Sequence, residues 1–247
     1  METIITPQAP ATGAVPPLLV AFDLETTGVD PFTALPVSYG FVQRVPSIPD
    51  PVLRVKQGFV NPGVPIPPEV TAIHHITDDM VAAAPDVATA TNKIASLISS
   101  IWDSGGAIVG MNVSYDLTLV DSLAKRYGLP TFQERSGVGP VLDILVIDRH
   151  HDRWRKGSRN LSALCEHYSV TISNAHDAAA DAIASLDVLE AMYARIPELS
   201  ALSSTEINDQ LGDWHRAWLT GFSSHLEKTG QPPVSPGRFS WPIQTSN

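Results

Sequence analysis

The sequence predicts a mixed α/β domain over about residues 17–196, followed by one amphipathic helix over 203–229. Three observations predict it. Short apolar strands separated by turn residues come first, and helical periodicity then alternates with buried strands, the order expected of an α/β domain. Third, 247 residues with 43% hydrophobic and 17% charged content supply a core and too few charges for a disordered polyelectrolyte.

Residues 1–16 are rich in Pro, Ala and Thr without periodicity and are expected to form a flexible arm. LLVAFDLE, from Leu18, opens with an apolar run and passes into alternation, the pattern of a strand. Gly28, Asp30 and Pro31 mark a turn. Val37–Val45 and Val52–Val60 read as two more strands separated by PSIPDP, and short connections among the three favour antiparallel pairing. After the proline-rich loop Asn61–Glu69, a helix is expected within Asp86–Trp102, where Ile94, Leu97, Ile98 and Ile101 share a face. Gly105 and Gly106 end it, and AIVG (107–110) is a short buried strand. Asp116–Tyr127 is the next helix, closed by Gly128 and Pro130. Val141–Ile147 begins as a strand, Asn160–Tyr168 is a short helix, and Asp177–Arg195 is a long one ended by Pro197.

The rest is different in kind. Ser203 with Glu206 makes a capping-box signature, after which Ile207, Leu211, Trp214, Trp218, Phe222 and Leu226 recur at helical spacing. This stripe is expected to pack on the core or on a second copy of the chain, as a homodimer. Residues 230–247 form a Pro- and Ser-rich tail.

Composition excludes several function classes. The single cysteine, Cys165, rules out an internal disulfide and a multi-cysteine zinc site. No apolar stretch approaches the roughly 20 residues of a membrane span, and the N-terminus lacks the basic start and apolar core of a secretory signal. A soluble, cytoplasmic protein without a membrane partner is expected. The net charge of -10 argues against coating nucleic acid through bulk charge.

Three clusters place acids where they serve no obvious packing purpose. Asp23 and Glu25 end the most apolar strand and share one of its faces, since side chains alternate. Two neighbouring carboxylates repel each other unless a cation sits between them. Asn112-Val113-Ser114-Tyr115-Asp116 follows AIVG and opens a helix. In His176-Asp177-Ala178-Ala179-Ala180-Asp181, the last residue lies in the first turns of a helix while His176 precedes it and reaches over the same site. Singly, each acid also fits a structural role, such as a helix N-terminal charge. Together, four carboxylates from separate elements suit a hard cation such as Mg2+, which takes oxygen ligands.

FDLETTG (22–28), GMNVSYD (110–116) and HDAAAD (176–181) resemble, in order and spacing, the three motifs of the DEDDh 3′–5′ exonucleases. That family includes the proofreading ε subunit of bacterial DNA polymerase III, RNase T and oligoribonuclease. The resemblance covers 17–196, and IHHIT (73–77) and NLSALCEHYSV (160–170) add to it. It implies an RNase H-like exonuclease fold, a mixed five-stranded sheet flanked by helices. It also implies that Asp23, Glu25, Asp116 and Asp181 hold two divalent cations, Mg2+ or Mn2+, for two-metal hydrolysis. His176 would take the attacking water's proton, a task suited to imidazole near neutral pH. Thr26 and Thr27 would line the site of the terminal nucleotide, His74 would lie near its sugar and base, and Tyr115 would support a base by stacking. His74 equally fits a satisfied histidine at a loop–helix junction. Where many relatives carry a histidine before the motif's Asn, this chain has Met111, while Asp143 has no motif role and reads as a strand-end residue.

RHHDRWRKGSR (149–159) concentrates five of the 16 basic residues around Trp154. It reads as a loop tracking a single strand's backbone, with Arg153, Arg155 and Lys156 as contacts. His150 and His151 lack further ligands nearby and are not assigned a metal. The expected activity is 3′–5′ hydrolysis of single-stranded DNA ends to nucleoside 5′-monophosphates. The alternatives are an exoribonuclease acting on RNA or oligoribonucleotides, or a proofreading-type subunit docking to a replicase. QLGDW (210–214) weakly resembles a clamp-binding peptide, with Asp213 where an apolar anchor belongs.

Overall fold

The computed structural model describes residues 18–45, 52–172 and 176–246, so the arm at 1–16 and the PSIPDP connection lie outside the described residues. Three strands come first: β1 (Leu19–Thr26), β2 (Pro36–Val45) and β3 (Val52–Phe59). The short helices α1 (Pro68–His74) and α2 (Asp78–Val81) lead to α3 (Val87–Asp103), β4 (Ala107–Gly110) and α4 (Val113–Arg126). Then follow α5 (Phe132–Arg135), β5 (Val141–Asp143), α6 (Ile144–His151), α7 (Leu161–Tyr168), α8 (Ala178–Arg195), α9 (Pro197–Ser200) and α10 (Ser204–Lys228). The strands form one sheet in the order β3-β2-β1-β4-β5, antiparallel among β1, β2 and β3 and parallel from β1 through β4 to β5. This is the expected mixed five-stranded sheet flanked by helices.

Strand alternation gives the sheet two cores. Val20, Phe22 and Leu24 pack beneath α3 and α4, against Ile94, Ile98, Val113 and Leu117. Ala21, on the opposite face, packs with Ala182, Leu186 and Leu189 of α8. Asp23 and Glu25 continue the Ala21 face and therefore point toward α8.

Two expectations need correction. The run at 141–147 is a strand for three residues only, because Asp143 accepts a hydrogen bond from the Leu145 backbone N–H and caps α6. Residues 230–246 do not trail away. Ser114 donates to the Pro242 carbonyl, the Gln244 N–H donates to Thr118 Oγ1, and Trp241 packs against both cores. The first part of the α10 stripe is covered by its own chain: Ile207 and Leu211 are wholly buried beside α6 and β5, and the neighbouring Leu219 is buried too, whereas Phe222 is exposed. A second copy is not needed to cover these residues. None of the helices described is long and apolar enough to cross a membrane.

Candidate active site

Two glycines let the acidic residues meet. Gly40 lies opposite Asp23 in the β1–β2 register, and a Cβ there would sit 2.6 Å from the Ala178 carbonyl carbon. Only a residue without Cβ allows the first turn of α8 to come this close to the sheet, which brings Asp181 over Asp23 and Glu25. Gly110 does the same for α4, since its Cβ would meet the Phe22 carbonyl oxygen at 2.9 Å and the Val113 side chain at 2.8 Å. Asn112 then turns the chain into α4 through a left-handed conformation, φ 57°, and its N–H is held by Asp143 Oδ1 at 2.9 Å. Asp143 thus anchors the turn that aims Asp116. At the other helix, Asp177 accepts from the Ala179 and Ala180 N–H groups and fixes the start of α8.

The resulting cluster is electrostatically unbalanced. Burial pushes the Asp23 carboxyl well above its ordinary range, and the charges of Asp116, Glu25 and Asp181 push it further. Glu25 rises from 4.5 to about 8, first through burial and then through Asp181 and Asp177. Burial also raises Asp116, with Asp143 and Glu25 adding repulsion, and it raises Asp181. None of the ion pairs among the described residues involves these four acids. Ligand atoms of Glu25, His176 and Asp181 all lie within 4.8 Å of one another. An oxygen-rich donor set that lacks an internal cation suits divalent metal ions.

His176 reaches this site from a turn just before α8, with φ 71°, and its N–H donates to Asp181 Oδ1 at 3.3 Å. A positive φ on a residue other than glycine is strained and held by its surroundings. His74 is 6% exposed, and its Nδ1 accepts from the Ile76 N–H at 3.0 Å. The proton of the neutral ring therefore sits on Nε2, on the side of the Thr26 backbone. Burial and the neighbouring His75 lower the His74 pKa and keep the ring neutral. His74 and His176 both line a cavity of about 570 Å3 with Tyr39, Phe59 and Asp177. Thr26 donates to the Gly28 carbonyl, and Thr27 Oγ1 accepts from the Leu35 N–H, which leaves its own hydroxyl proton available. The Tyr115 hydroxyl is engaged with Gly28 and Thr26, so the residue braces the end of β1.

Comparison with known sequences gives this arrangement its family. The sequence profile of the RNase T-type exonuclease family matches residues 20–189. The chain belongs to this exonuclease family, of the DEDDh 3′–5′ type. It is 29% identical over 192 residues to the PolC-type DNA polymerase III of Caldanaerobacter subterraneus subsp. tengcongensis, covering 78% of this chain and 13% of the polymerase. Among solved structures, E. coli Exonuclease I in complex with a dT13 oligonucleotide superimposes with a TM-score of 0.58, at 19% identity, over 74% of this chain and 42% of that one. The zinc-bound form of the E. coli ExoI–ssDNA complex gives 0.58 and 19% over 81% of this chain and 43% of that one. The chain thus spans about an eighth of such polymerases and under half of Exonuclease I.

Outside this center, the remaining candidate residues take different settings. Arg155 is engaged within the protein: with Arg159 it pairs with Asp148, which is fully buried, while Tyr168 adds its hydroxyl. Arg153 lies over the Trp154 ring, 5.0 Å from its centroid, and Lys156 is exposed. Met111 packs against the core on the α8 side of the sheet, an apolar role. QLGDW lies within α10 with Leu211 fully buried, so the segment is not free to act as a clamp-binding peptide. Sequence reasoning missed Gly40, and Asp143 was read without its link to Asn112. Both act across strands, where sequence spacing carries no signal.

Proposed function

We propose that this chain hydrolyses single-stranded DNA from the 3′ end and releases nucleoside 5′-monophosphates. The observation that carries the proposal is the convergence of Asp23, Glu25, Asp116 and Asp181 without an internal cation. These four residues would hold two divalent cations, Mg2+ or Mn2+, which when bound supply a Lewis acid for the water and for the leaving 3′ oxygen. His176 stands beside Glu25 and Asp181 and would accept the water's proton at an imidazole nitrogen. His74 Nε2–H would donate to an oxygen of the terminal nucleotide, and the Thr27 hydroxyl would donate to another. The cavity beside the histidines has room for the terminal nucleoside. Exonuclease I bound to dT13 and the DNA polymerases among the relatives support DNA over RNA as the substrate. The polymerase relatives also support a place beside a replicase.

The deciding experiment is side-by-side digestion of 5′-labelled DNA and RNA oligomers of equal sequence in Mg2+. A DNA ladder shortening from the 3′ end is expected. Exclusive RNA cleavage would overturn the substrate, and absence of metal-dependent cleavage of either would overturn the function.

A further inference from the structure

We propose that the groove between α6 and α10 is a track for the part of the single strand lying 5′ of the end held at the carboxylates. The proposal rests on the nuclease reading above and adds a binding site formed between α6, the residues just after it and α10, the last of which lies outside the matched residues 20–189. The groove has a volume of about 390 Å3 and is lined chiefly by Arg149, Arg153, Trp154, Trp214, Trp218 and Phe222. Two of its rings, Trp154 and Phe222, are exposed, while Trp214 is stacked on His150 at 4.1 Å. Trp218 and Phe222 are stacked at 5.0 Å and 15°, and Trp154 is 84% exposed. The Arg149 guanidinium sits 3.5 Å over the Trp218 ring, and Arg149 Nε is buried without a hydrogen-bond partner among the described residues. None of the described residues lining the groove is acidic, although the chain as a whole carries a charge of -10. Exposed aromatic rings beside arginines are a combination that holds single-stranded nucleic acid, with bases on the rings and phosphates on the cations.

The groove is also connected to the candidate site. A second cavity of about 350 Å3 shares Arg149, Trp218 and Phe222 with it and extends to Asn112. Asn112 caps the helix that carries Asp116, four residues or roughly 6 Å along the helix axis from it. A strand leaving the carboxylates along this edge of the sheet therefore passes straight onto the aromatic surface. An acidic peptide would match the charge, but neither that connection nor the exposed rings of Trp154 and Phe222 would serve it.

The test uses the full chain and its tryptophan fluorescence, titrated in Mg2+ with cleavage-resistant phosphorothioate thymidine oligomers, a dinucleotide and a dodecamer. The dodecamer is expected to quench the fluorescence and to bind at least about tenfold tighter than the dinucleotide, the worth of one or more stacked bases. The double variant Trp154→Ala/Phe222→Ser, at two exposed positions, is expected to lose that advantage while hydrolysing an ordinary dinucleotide at an unchanged rate. Equal affinity for both lengths in the wild type, or an advantage kept by the double variant, would overturn the track. So would displacement of the dodecamer from the groove by an oligo-aspartate peptide, which would point to an acidic protein partner. Length-dependent quenching in a protein that hydrolyses nothing would support the track and count only against the nuclease reading. Dinucleotide hydrolysis without length dependence would do the reverse.

Discussion

Two groups of buried acids in this molecule face opposite electrostatic situations. Asp148 is fully buried, yet two arginines, Arg155 and Arg159, and the Tyr168 hydroxyl converge on it. Asp23, Glu25, Asp116 and Asp181 are brought together with no arginine or lysine between them, and burial and mutual repulsion raise all four carboxyls. Both arrangements cost desolvation, but only the first recovers it within the chain. The comparison teaches how to tell a structural acid from one that awaits an ion. What matters is whether the fold has already supplied the counter-charge, and burial alone does not decide it.

The sharpest way to break this comparison is to remove one acid from each group. Asp181→Ala is expected to abolish cleavage with the fold retained, as gel-based digestion and circular dichroism would show. His176→Ala should cost on the order of 10²–10⁴ in rate, the worth of a general base. Full activity in either variant would remove the candidate site. Asp148→Ala should act on stability instead. It leaves two arginines, 13% and 16% exposed, without their partner, and removing one member of a buried pair costs about 3–5 kcal/mol. Urea unfolding would report this as a lower midpoint at unchanged slope. An Asp148→Ala protein as stable as the wild type would mean that the two groups do not differ as argued.

A smaller effect separates geometry from charge. Gly40→Ala adds a Cβ where the Ala178 carbonyl carbon lies 2.6 Å away, so the first turn of α8 must retreat. Overpacking of this kind costs about 1–3 kcal/mol. Because the retreat carries Asp181 away from Asp23, activity should fall by more than the stability loss explains. A rate unchanged in the folded fraction would show that the close approach does not set the site.

These residues also show what could be read from the sequence. β1 and the helices at 87–103 and 178–195 were legible because their apolar residues recur with a clear period, and AIVG because glycines bound a run too short for a helix. The four acids were legible because each ends a strand or opens a helix. The segment after Asp143 was not: Ile144–Ile147 is apolar throughout and buried, and such a run reads alike as strand or helix. The pairing of Arg155 and Arg159 with Asp148 was hidden because it depends on how the chain folds back after α6. A charge run that looked like a nucleic-acid contact is thus partly an internal counter-charge. The tail's contacts with Ser114 and Thr118 cross more than 120 positions, which no local pattern can signal.

The smallest expected effect is the one that isolates the missing counter-charge. In the metal-free protein Glu25 keeps its proton up to about pH 8, whereas in the unfolded chain it releases it near its ordinary value of 4.5. Between those values the native state's Glu25 binds more protons than the unfolded state's, so its contribution to stability falls as pH rises through this window. Divalent cations compensate the ionised carboxylates, and their stabilisation should therefore grow across the same window. Melting temperatures measured near pH 5 and near pH 8, with chelator or with Mg2+, give the comparison directly. The chelated protein should melt lower at the higher pH, and Mg2+ should raise its melting temperature by several degrees there and by less at the lower pH. Asp23→Asn, which removes one repelling charge, should lessen the chelated protein's loss and shrink the Mg2+ effect together. A Mg2+ shift equal at both pH values would mean that the ion binds somewhere other than among these four acids.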